Sequence, residues 1–300
     1  MAMAPGKAER DNLWRLVEMA RAEDLGSGDV TGTILPSETR ATARFVARQP
    51  MVVCGSALLE AIAMSYDGEI RTTTLAEEGL PVEGGAVLAE WEGPCRGILA
   101  AERVALNFLQ RLSGVATSTR AYVQAVAGTG AEIFDTRKTT PGWRELEKYA
   151  VRVGGGNNHR KGLYDAVLIK DNHLALLAKA EGRDPIEAAG RELERVRPIL
   201  SDGAFIELEV DNLDHFRSAL ALSVDIILLD NMPVADLRRA VAMRKAAGLA
   251  ERVLLEASGG ITLQNVRQVA ETGVERIAVG AITHSAEAMD IALDIEPDQT

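Results

Sequence analysis

The sequence has few cysteines, no long apolar run and no excess of positive charge, and each absence excludes a class of protein. Its two cysteines, Cys54 and Cys95, are too few for a disulfide framework and favour a reducing, cytoplasmic location. The amino-terminal segment is polar and has no apolar run of the signal-peptide type, and no segment is suited to span a membrane. The net charge of −11 predicts that the protein as a whole repels nucleic acid and anionic membranes.

What remains is the composition of an ordinary globular protein, with 47% hydrophobic residues in a chain of 300 residues. This length suffices for one large domain or two ordinary ones. Residues 13–20 carry apolar side chains at helical spacing, and residues 41–47 alternate as a half-buried strand does. A long amphipathic helix is predicted from about residue 98 to 127, with Ser113-Gly114 as its candidate break.

From residue 131 onward, short apolar runs alternate with stretches of helical length, which is typical of βα units with a parallel sheet. The six runs are residues 131–135, 165–169, 204–210, 225–229, 252–257 and 275–279. Because one such unit needs roughly 30 residues, six units fit and eight do not. We therefore predict an α/β fold with a barrel of six strands, or an open barrel, rather than a full eight-stranded one. Spacing alone leaves a doubly wound sheet as the alternative.

Polar residues or glycines lie at the end of every predicted strand, where barrel enzymes carry their chemistry. Along the third run, alternation directs Glu207 and Glu209 into the barrel, because its apolar residues must face the helices. Two inward carboxylates require cations, a metal or water. Lys170 and Arg137, on neighbouring strand ends, are their natural partners, and a purely structural ion-pair network is the alternative reading.

Residues 135–170 carry eight lysines and arginines against four acids, which reverses the charge of the whole chain and predicts an anion site. Arg144, Lys148 and Lys161 are expected on solvated helix faces rather than in that site.

Glycine-rich segments follow several strands. Gly154, Gly155 and Gly156 precede His159 and Arg160, and glycine lets backbone N–H groups approach a ligand closely. The segments ASGGI and AVGA follow the last two strands, where barrel enzymes often bind phosphate on backbone amides. Tight turns between strand and helix are the alternative explanation of these glycines.

The run DTRKTTPGWRELEKYAVRVGGGNNHRKGLYDAVLIKDNH resembles the signature of the quinolinate phosphoribosyltransferases, the carboxylating nicotinate-nucleotide pyrophosphorylases. EDLGSGDVT, AERVALNFLQRLSGVAT, EVDNL, ILLDNM, EASGGI and VGAITHSA resemble further family segments in the family's order. The resemblance implies that phosphoribosyl passes from phosphoribosyl pyrophosphate to quinolinate with Mg²⁺, yielding nicotinate mononucleotide, CO₂ and pyrophosphate for NAD biosynthesis. It implies an N-terminal α/β sandwich domain over 1–114, joined by the tail 286–300, and an incomplete six-stranded α/β barrel over 115–285.

The same resemblance implies a homodimer or hexamer with shared active sites, in which Arg103 acts across the interface. It implies catalytic roles for Lys138, Lys170, Glu209 and Asp230, the last two also holding Mg²⁺ directly or through water. The implied substrate-binding residues are Arg103, Thr136, Arg137, Lys138, His159, Arg160, Lys170, Glu209, Asp230, Ser258, Gly259, Gly260, Val279, Gly280, Ala281 and His284.

Three alternatives differ in chemistry. One is a paralogue of the same fold associated with molybdenum transport, against which the complete TRK and HR motifs argue. Another is a Schiff-base aldolase with Lys170 as nucleophile, but no apolar pocket that would lower a lysine pKa is evident. The last is an inactive scaffold that binds nucleotide, and the sequence shows no lost arginine, lysine or acid that would mark it.

Overall fold

The structure is a computed structural model, and it describes residues 4–182, 184–201 and 203–298. Its helices are α1 (Lys7–Leu25), α2 (Leu59–Tyr66), α3 (Cys95–Ala125), α4 (Arg144–Val153), α5 (Asp171–Glu181), α6 (Pro185–Val196), α7 (Leu213–Ala219), α8 (Val234–Ala246), α9 (Val266–Ala270) and α10 (Ala281–His284). Its strands are β1 (Arg40–Ala47), β2 (Met51–Val52), β3 (Arg71–Thr74), β4 (Pro81–Val82), β5 (Val87–Pro94), β6 (Glu132–Phe134), β7 (Val167–Ile169), β8 (Ile206–Val210), β9 (Ile226–Asp230), β10 (Leu254–Ser258), β11 (Arg276–Ala278) and β12 (Ile291–Pro297).

Two compact units are interleaved along the chain. The first unit contains the chain up to Arg120, then Lys138–Gly156, and again from Ile282 onward. The second unit contains Ala121–Arg137 and Asn157–Ala281.

The first unit is built on an antiparallel sheet of order β12-β1-β5-β3. The alternation predicted for residues 41–47 is observed, because Ala41, Ala43 and Phe45 are buried. Phe45 packs edge-on against the buried Trp91 of β5, with ring centroids 4.8 Å apart. On the other side of β1, β12 brings the carboxyl-terminal segment into the same sheet.

Helix α3 continues through Ser113 and Gly114, so the predicted break there is wrong. Both residues serve close packing instead. The Ser113 hydroxyl donates to the carbonyl of Cys54 and accepts from its N–H, each at 3.1 Å. A Cβ at position 114 would lie 2.0 Å from the carbonyl oxygen of Glu287, so only glycine fits.

All six predicted runs form strands of the second unit, in one parallel sheet of order β6-β11-β10-β9-β8-β7. From β7 to β11 neighbours in the sheet are also neighbours in sequence, which differs from the reversal of strand order in a doubly wound sheet. Within the described residues, β6 and β7 form the two edges and do not pair with each other. The prediction of an α/β fold with an open six-stranded barrel is therefore confirmed.

Candidate active site

The parallel strands bring several predicted site residues to one edge of the sheet of the second unit. Asp230, the last residue of β9, is the sheet partner of Ser258, the last residue of β10. Lys170 directly follows β7, and Gly280 lies two residues beyond β11. Because the strands are parallel, their carboxyl ends all lie at this edge, where functional residues of such sheets gather.

Lys170 and Glu209 form an ion pair at this edge, as the alternation along β8 predicts. The lysine Nζ donates to the Glu209 Oε2 at 2.7 Å. The Lys170 side chain is 45% exposed and that of Glu209 is 11% exposed. The lysine ammonium therefore remains accessible to an anionic ligand while the carboxylate orients it.

A cavity of about 450 Å³ opens beside this pair. Acidic side chains dominate its polar lining, which comprises Asp171, Glu209, Asp211, His215, Asp230 and Asn231. Carboxylate oxygens are hard ligands of the kind that Mg²⁺ prefers, and the remaining positions around such an ion are normally taken by water and substrate phosphates. Glu209 and Asp230 therefore fit the predicted metal role.

Glycine at position 259 has a structural reason of its own. Gly259 has a φ of +87°, and a Cβ there would lie 2.3 Å from the side-chain Oδ1 of Asn231. Asn231 itself has a φ of 53° and donates through Nδ2 to Asp230 Oδ2 at 2.8 Å. The glycine thus permits the close approach of Asn231, which sets the position of Asp230.

The three glycines of the loop after α4 do not present free amides to a ligand, and that interpretation is wrong. The N–H groups of Gly154, Gly155 and Gly156 donate to carbonyls in the last turn of α4, at 2.9, 2.9 and 3.0 Å. A Cβ on Gly154 would also lie 2.6 Å from the Ala116 carbonyl oxygen. These glycines end the helix and let α3 approach, as the turn alternative proposes.

Beyond this loop, His159 is held in a buried cluster in the second unit. Its Nε2 lies 2.8 Å from Glu207 Oε2 and 3.5 Å from Glu256 Oε1. The guanidinium of Arg276 donates through Nε to Glu256 Oε2 at 2.7 Å and stacks on the ring of Phe134 at 3.6 Å. The Arg160 N–H donates to His159 Nδ1 at 2.7 Å, so a neutral imidazole would carry its proton on Nε2 and donate to Glu207.

Burial dominates the electrostatics of this cluster. The pKa of Glu207 is raised to about 7 by burial, against the opposing charges of Arg276 and Arg160. The pKa of Glu256 is also raised to about 7, by burial and then by the neighbouring Glu207. Burial and then the charge of Arg137 lower the pKa of the Arg160 guanidinium. Two guanidinium groups close enough to repel each other favour a bound dianion.

The remaining predicted residues are placed as follows. Thr136 and Arg137 are half-buried in the second unit, and the Val279 N–H donates to the Phe134 carbonyl at 2.9 Å. Arg103, Lys138 and His284 belong to the first unit and are exposed. Lys148, by contrast, is fully buried on α4, so its expected place on a solvated face is wrong. Arg144 and Lys161 are half-buried.

Arg276 of the buried cluster around His159 was not predicted from the sequence. Nor was an ion pair of the first unit, in which Arg111 Nη2 lies 2.7 Å from Glu147 Oε1. Arg276 begins β11, and the alternation rule that turned Glu207 inward would also have directed this arginine to one face of its strand. Glu147 and Arg111 lie on helices of the first unit, where a charged residue is ordinarily solvated. No local signal shows that the Glu147 side chain is fully buried.

Comparison with known proteins identifies the family of the chain. The sequence model of the quinolinate phosphoribosyl transferase C-terminal domain matches residues 115–294, and that of the N-terminal domain matches residues 29–113. The chain belongs to the quinolinate phosphoribosyltransferase family. The family prediction made from the DTRK and HRK motifs is thereby confirmed.

Members of this family resemble the chain over nearly its whole length. The nicotinate-nucleotide pyrophosphorylase [carboxylating] of Mycobacterium leprae is 42% identical over 96% of this chain and 97% of its own. A probable enzyme of the same name from Bacillus subtilis is 38% identical over 91% and 90%. The structure of the nicotinate-nucleotide pyrophosphorylase from Francisella tularensis superposes with a TM-score of 0.86 at 37% identity, covering 95% of this chain and 96% of that one. Among the described residues, no helix has the length and apolarity that crossing a membrane requires.

Proposed function

We propose that this chain transfers the phosphoribosyl group of phosphoribosyl pyrophosphate to quinolinate with loss of CO₂, a step of de novo NAD biosynthesis. The observation that carries the proposal is the match to both domains of the family, with a relative named carboxylating nicotinate-nucleotide pyrophosphorylase at 42% identity over 97% of its length. The product would be nicotinate mononucleotide, with pyrophosphate as the leaving group.

Quinolinate carries two adjacent carboxylates, and the second unit offers arginines suited to them. Arg160 is buried and Arg137 is half-buried, and the charge of Arg137 lowers the pKa of Arg160. Guanidinium groups bind carboxylates through paired hydrogen bonds, and a dianion relieves their repulsion. We assign both arginines to the two carboxylates, with His159 fixed beside them by Glu207.

Phosphoribosyl pyrophosphate is assigned to the carboxyl edge of the same sheet. Lys170 offers an accessible ammonium to the pyrophosphate while Glu209 orients it. The turns after β10 and β11 are proposed to hold the 5′-phosphate on backbone amides. These turns comprise Ser258, Gly259 and Gly260, and Val279, Gly280 and Ala281. Because the Val279 N–H already donates to the Phe134 carbonyl, Val279 would line this site without donating to the phosphate.

Glu209 and Asp230 are proposed to hold Mg²⁺, because both carboxylates line the same cavity. When bound, the ion would supply positive charge to the pyrophosphate as it leaves. Lys170 would neutralise part of the same charge, which favours cleavage of the bond from the anomeric carbon to the pyrophosphate oxygen.

The pyridine nitrogen then forms a bond to the anomeric carbon and becomes cationic. The carbon–carbon bond to the 2-carboxylate breaks, CO₂ departs, and the electron pair left on ring carbon 2 is stabilised by that cationic nitrogen. A proton from solvent or a neighbouring acid completes the product. The chain's own contribution is to orient the two substrates and to hold charge of the right sign at each end of the reacting bonds.

Three assignments rest on the resemblance to the family, and we propose them on that basis. They are a substrate contact from Lys138, one from His284, and a contact from Arg103 to the site of a partner subunit in a homodimer or hexamer. A cytoplasmic location is proposed from the small number of cysteines.

A product assay tests the proposal. Purified protein is incubated with phosphoribosyl pyrophosphate, Mg²⁺ and either quinolinate or nicotinate, and mononucleotide is measured. Product from quinolinate with little from nicotinate supports the role of the paired carboxylates. No product from quinolinate in folded protein would reject the proposed function and favour a paralogue that uses a different base.

A further inference from the structure

The guanidinium of Arg111, on α3, contacts two other segments of the first unit. These are α4 and residues 283–286. Nη2 and Nε donate to Glu147 Oε1 at 2.7 and 3.1 Å. Nη1 donates to the carbonyl of Ala286 at 3.0 Å, and Nη2 also donates to the carbonyl of Thr283. A planar guanidinium with its donors in a fixed geometry holds such partners at defined angles, which a lysine cannot do.

Glu147 in turn holds the loop that follows Lys138, through hydrogen bonds to Thr140. Its carboxylate is fully buried, and Oε2 accepts from the backbone N–H of Thr140 at 3.1 Å. Oε1 accepts from the Thr140 hydroxyl at 2.9 Å. A buried carboxylate without its cation is strongly destabilising, so Arg111 keeps Glu147, and with it Thr140, in place.

Thr283 connects Arg111 to the backbone of Lys138 itself. The buried Thr283 hydroxyl donates to the carbonyl of Lys138 at 2.8 Å, while the carbonyl of Thr283 accepts from Arg111. The backbone of Lys138 is thus held at its own carbonyl and again two residues later. His284 directly follows Thr283, so the same contact constrains the backbone next to a second predicted substrate ligand.

We propose that Arg111 and Glu147 are positioning residues, which fix the backbone of Lys138 and of His284 and so set where these side chains meet the substrate. This inference rests on the proposed function, because Lys138 and His284 matter only if they contact substrate. A displacement of about 1 Å in a substrate-positioning group can lower a rate roughly a hundredfold, so the loss of this network should be visible in the kinetics.

The second unit contains a matched control. Arg244 is 2% exposed and donates to both carboxylate oxygens of Glu275, at 2.8 and 2.6 Å, and to the Val253 carbonyl at 2.8 Å. This pair lies at the amino ends of β10 and β11, at the edge of the sheet opposite to Ser258. It is an arginine–glutamate pair with a buried guanidinium and a half-buried carboxylate, and no predicted substrate ligand is attached to it.

The experiment compares Arg111→Met, Arg111→Lys, Glu147→Gln and Arg244→Met in the full chain, at a temperature where circular dichroism shows each to be folded. We expect kcat/KM for quinolinate to fall roughly 10- to 100-fold in Arg111→Met, less in Arg111→Lys, and by less than about twofold in Arg244→Met. Thermal stability should fall in both methionine variants, which separates positioning from a general loss of stability. Where Arg111→Met does not fold, Arg111→Lys and Glu147→Gln carry the test.

Hydrogen exchange provides a readout that does not depend on activity. Amides of residues 138–140 should exchange faster in Arg111→Met than in the parent, and at the parental rate in Arg244→Met. Unchanged exchange in folded Arg111→Met, or faster exchange with unchanged kcat/KM, overturns the inference. A parent protein that is inactive with quinolinate instead rejects the proposed function, and exchange then still decides whether Arg111 fixes the backbone of Lys138.

Discussion

In the first unit, the buried carboxylate of Glu147 has a partner for each oxygen: Arg111 and the Thr140 hydroxyl for one, the Thr140 N–H for the other. In the second unit, Glu207 and Glu256 are equally buried, yet Oε1 of each has no hydrogen-bond partner among the described residues. This difference in hydrogen bonding indicates a different role for each cluster. A fully satisfied network fixes a backbone, whereas a partly satisfied one remains sensitive to a proton or a bound anion nearby.

The largest effect is expected from a substitution of Arg137 in the second unit, which should lower activity and leave stability nearly unchanged. Arg137→Ala should lower kcat/KM for quinolinate by about a hundredfold or more, because a charged donor to a substrate carboxylate is lost. The free energy of unfolding should change by less than about 1 kcal/mol, since the side chain is half-buried. Steady-state kinetics and urea unfolding check both parts. An undiminished rate would remove Arg137 from the substrate pocket.

Two glutamine substitutions test whether the buried carboxylates of the first and the second unit differ in this way. Glu147→Gln should lower the free energy of unfolding by about 3 kcal/mol, because it leaves the guanidinium of Arg111 without its anion. Glu256→Gln should cost only about 1 kcal/mol near pH 7, because burial already favours the neutral form of this carboxyl. Urea unfolding at one pH measures both. Equal losses would contradict the distinction between the two clusters.

The smallest expected effect is a change in the pH dependence of stability. The pKa of Glu256 is raised from 4.5 to about 7, so the folded protein holds this proton more tightly than the unfolded chain. Its contribution is complete below about pH 4.5 and is lost as the pH rises through about 7. Between about pH 5 and 8, Glu256→Gln should therefore lose less stability than the parent in urea unfolding. Parallel curves for the two proteins would show that Glu256 is ordinarily ionised.

Much of the second unit was predictable from the sequence because its strands are short, largely apolar runs separated by stretches of helical length. All six predicted runs became strands of one parallel sheet. The count of runs did not decide whether the barrel closes, which depends on the absence of pairing between β6 and β7 among the described residues. The pairing of Lys170 with Glu209 also followed, since alternation and strand order together decide which side chains meet.

Two of the errors, at Gly114 and Gly154, share one physical cause, which is contact with distant backbone. Gly114 and Gly154 were interpreted as a helix break and a ligand loop, but each lies against a carbonyl oxygen from another segment of the first unit. Lys148 was expected in solvent because lysine rarely is buried. The sequence shows that a residue is small or charged, but not which distant atoms will surround it.

The most direct test of the account uses quinolinate labelled with ¹³C at the 2-carboxylate or, separately, at the 3-carboxylate. With phosphoribosyl pyrophosphate and Mg²⁺, the proposed transfer to quinolinate predicts labelled CO₂ from the first substrate only, and nicotinate mononucleotide that keeps the label of the second. Unlabelled CO₂ from the first substrate, or no CO₂ beside a folded protein, would contradict the proposed transfer to quinolinate.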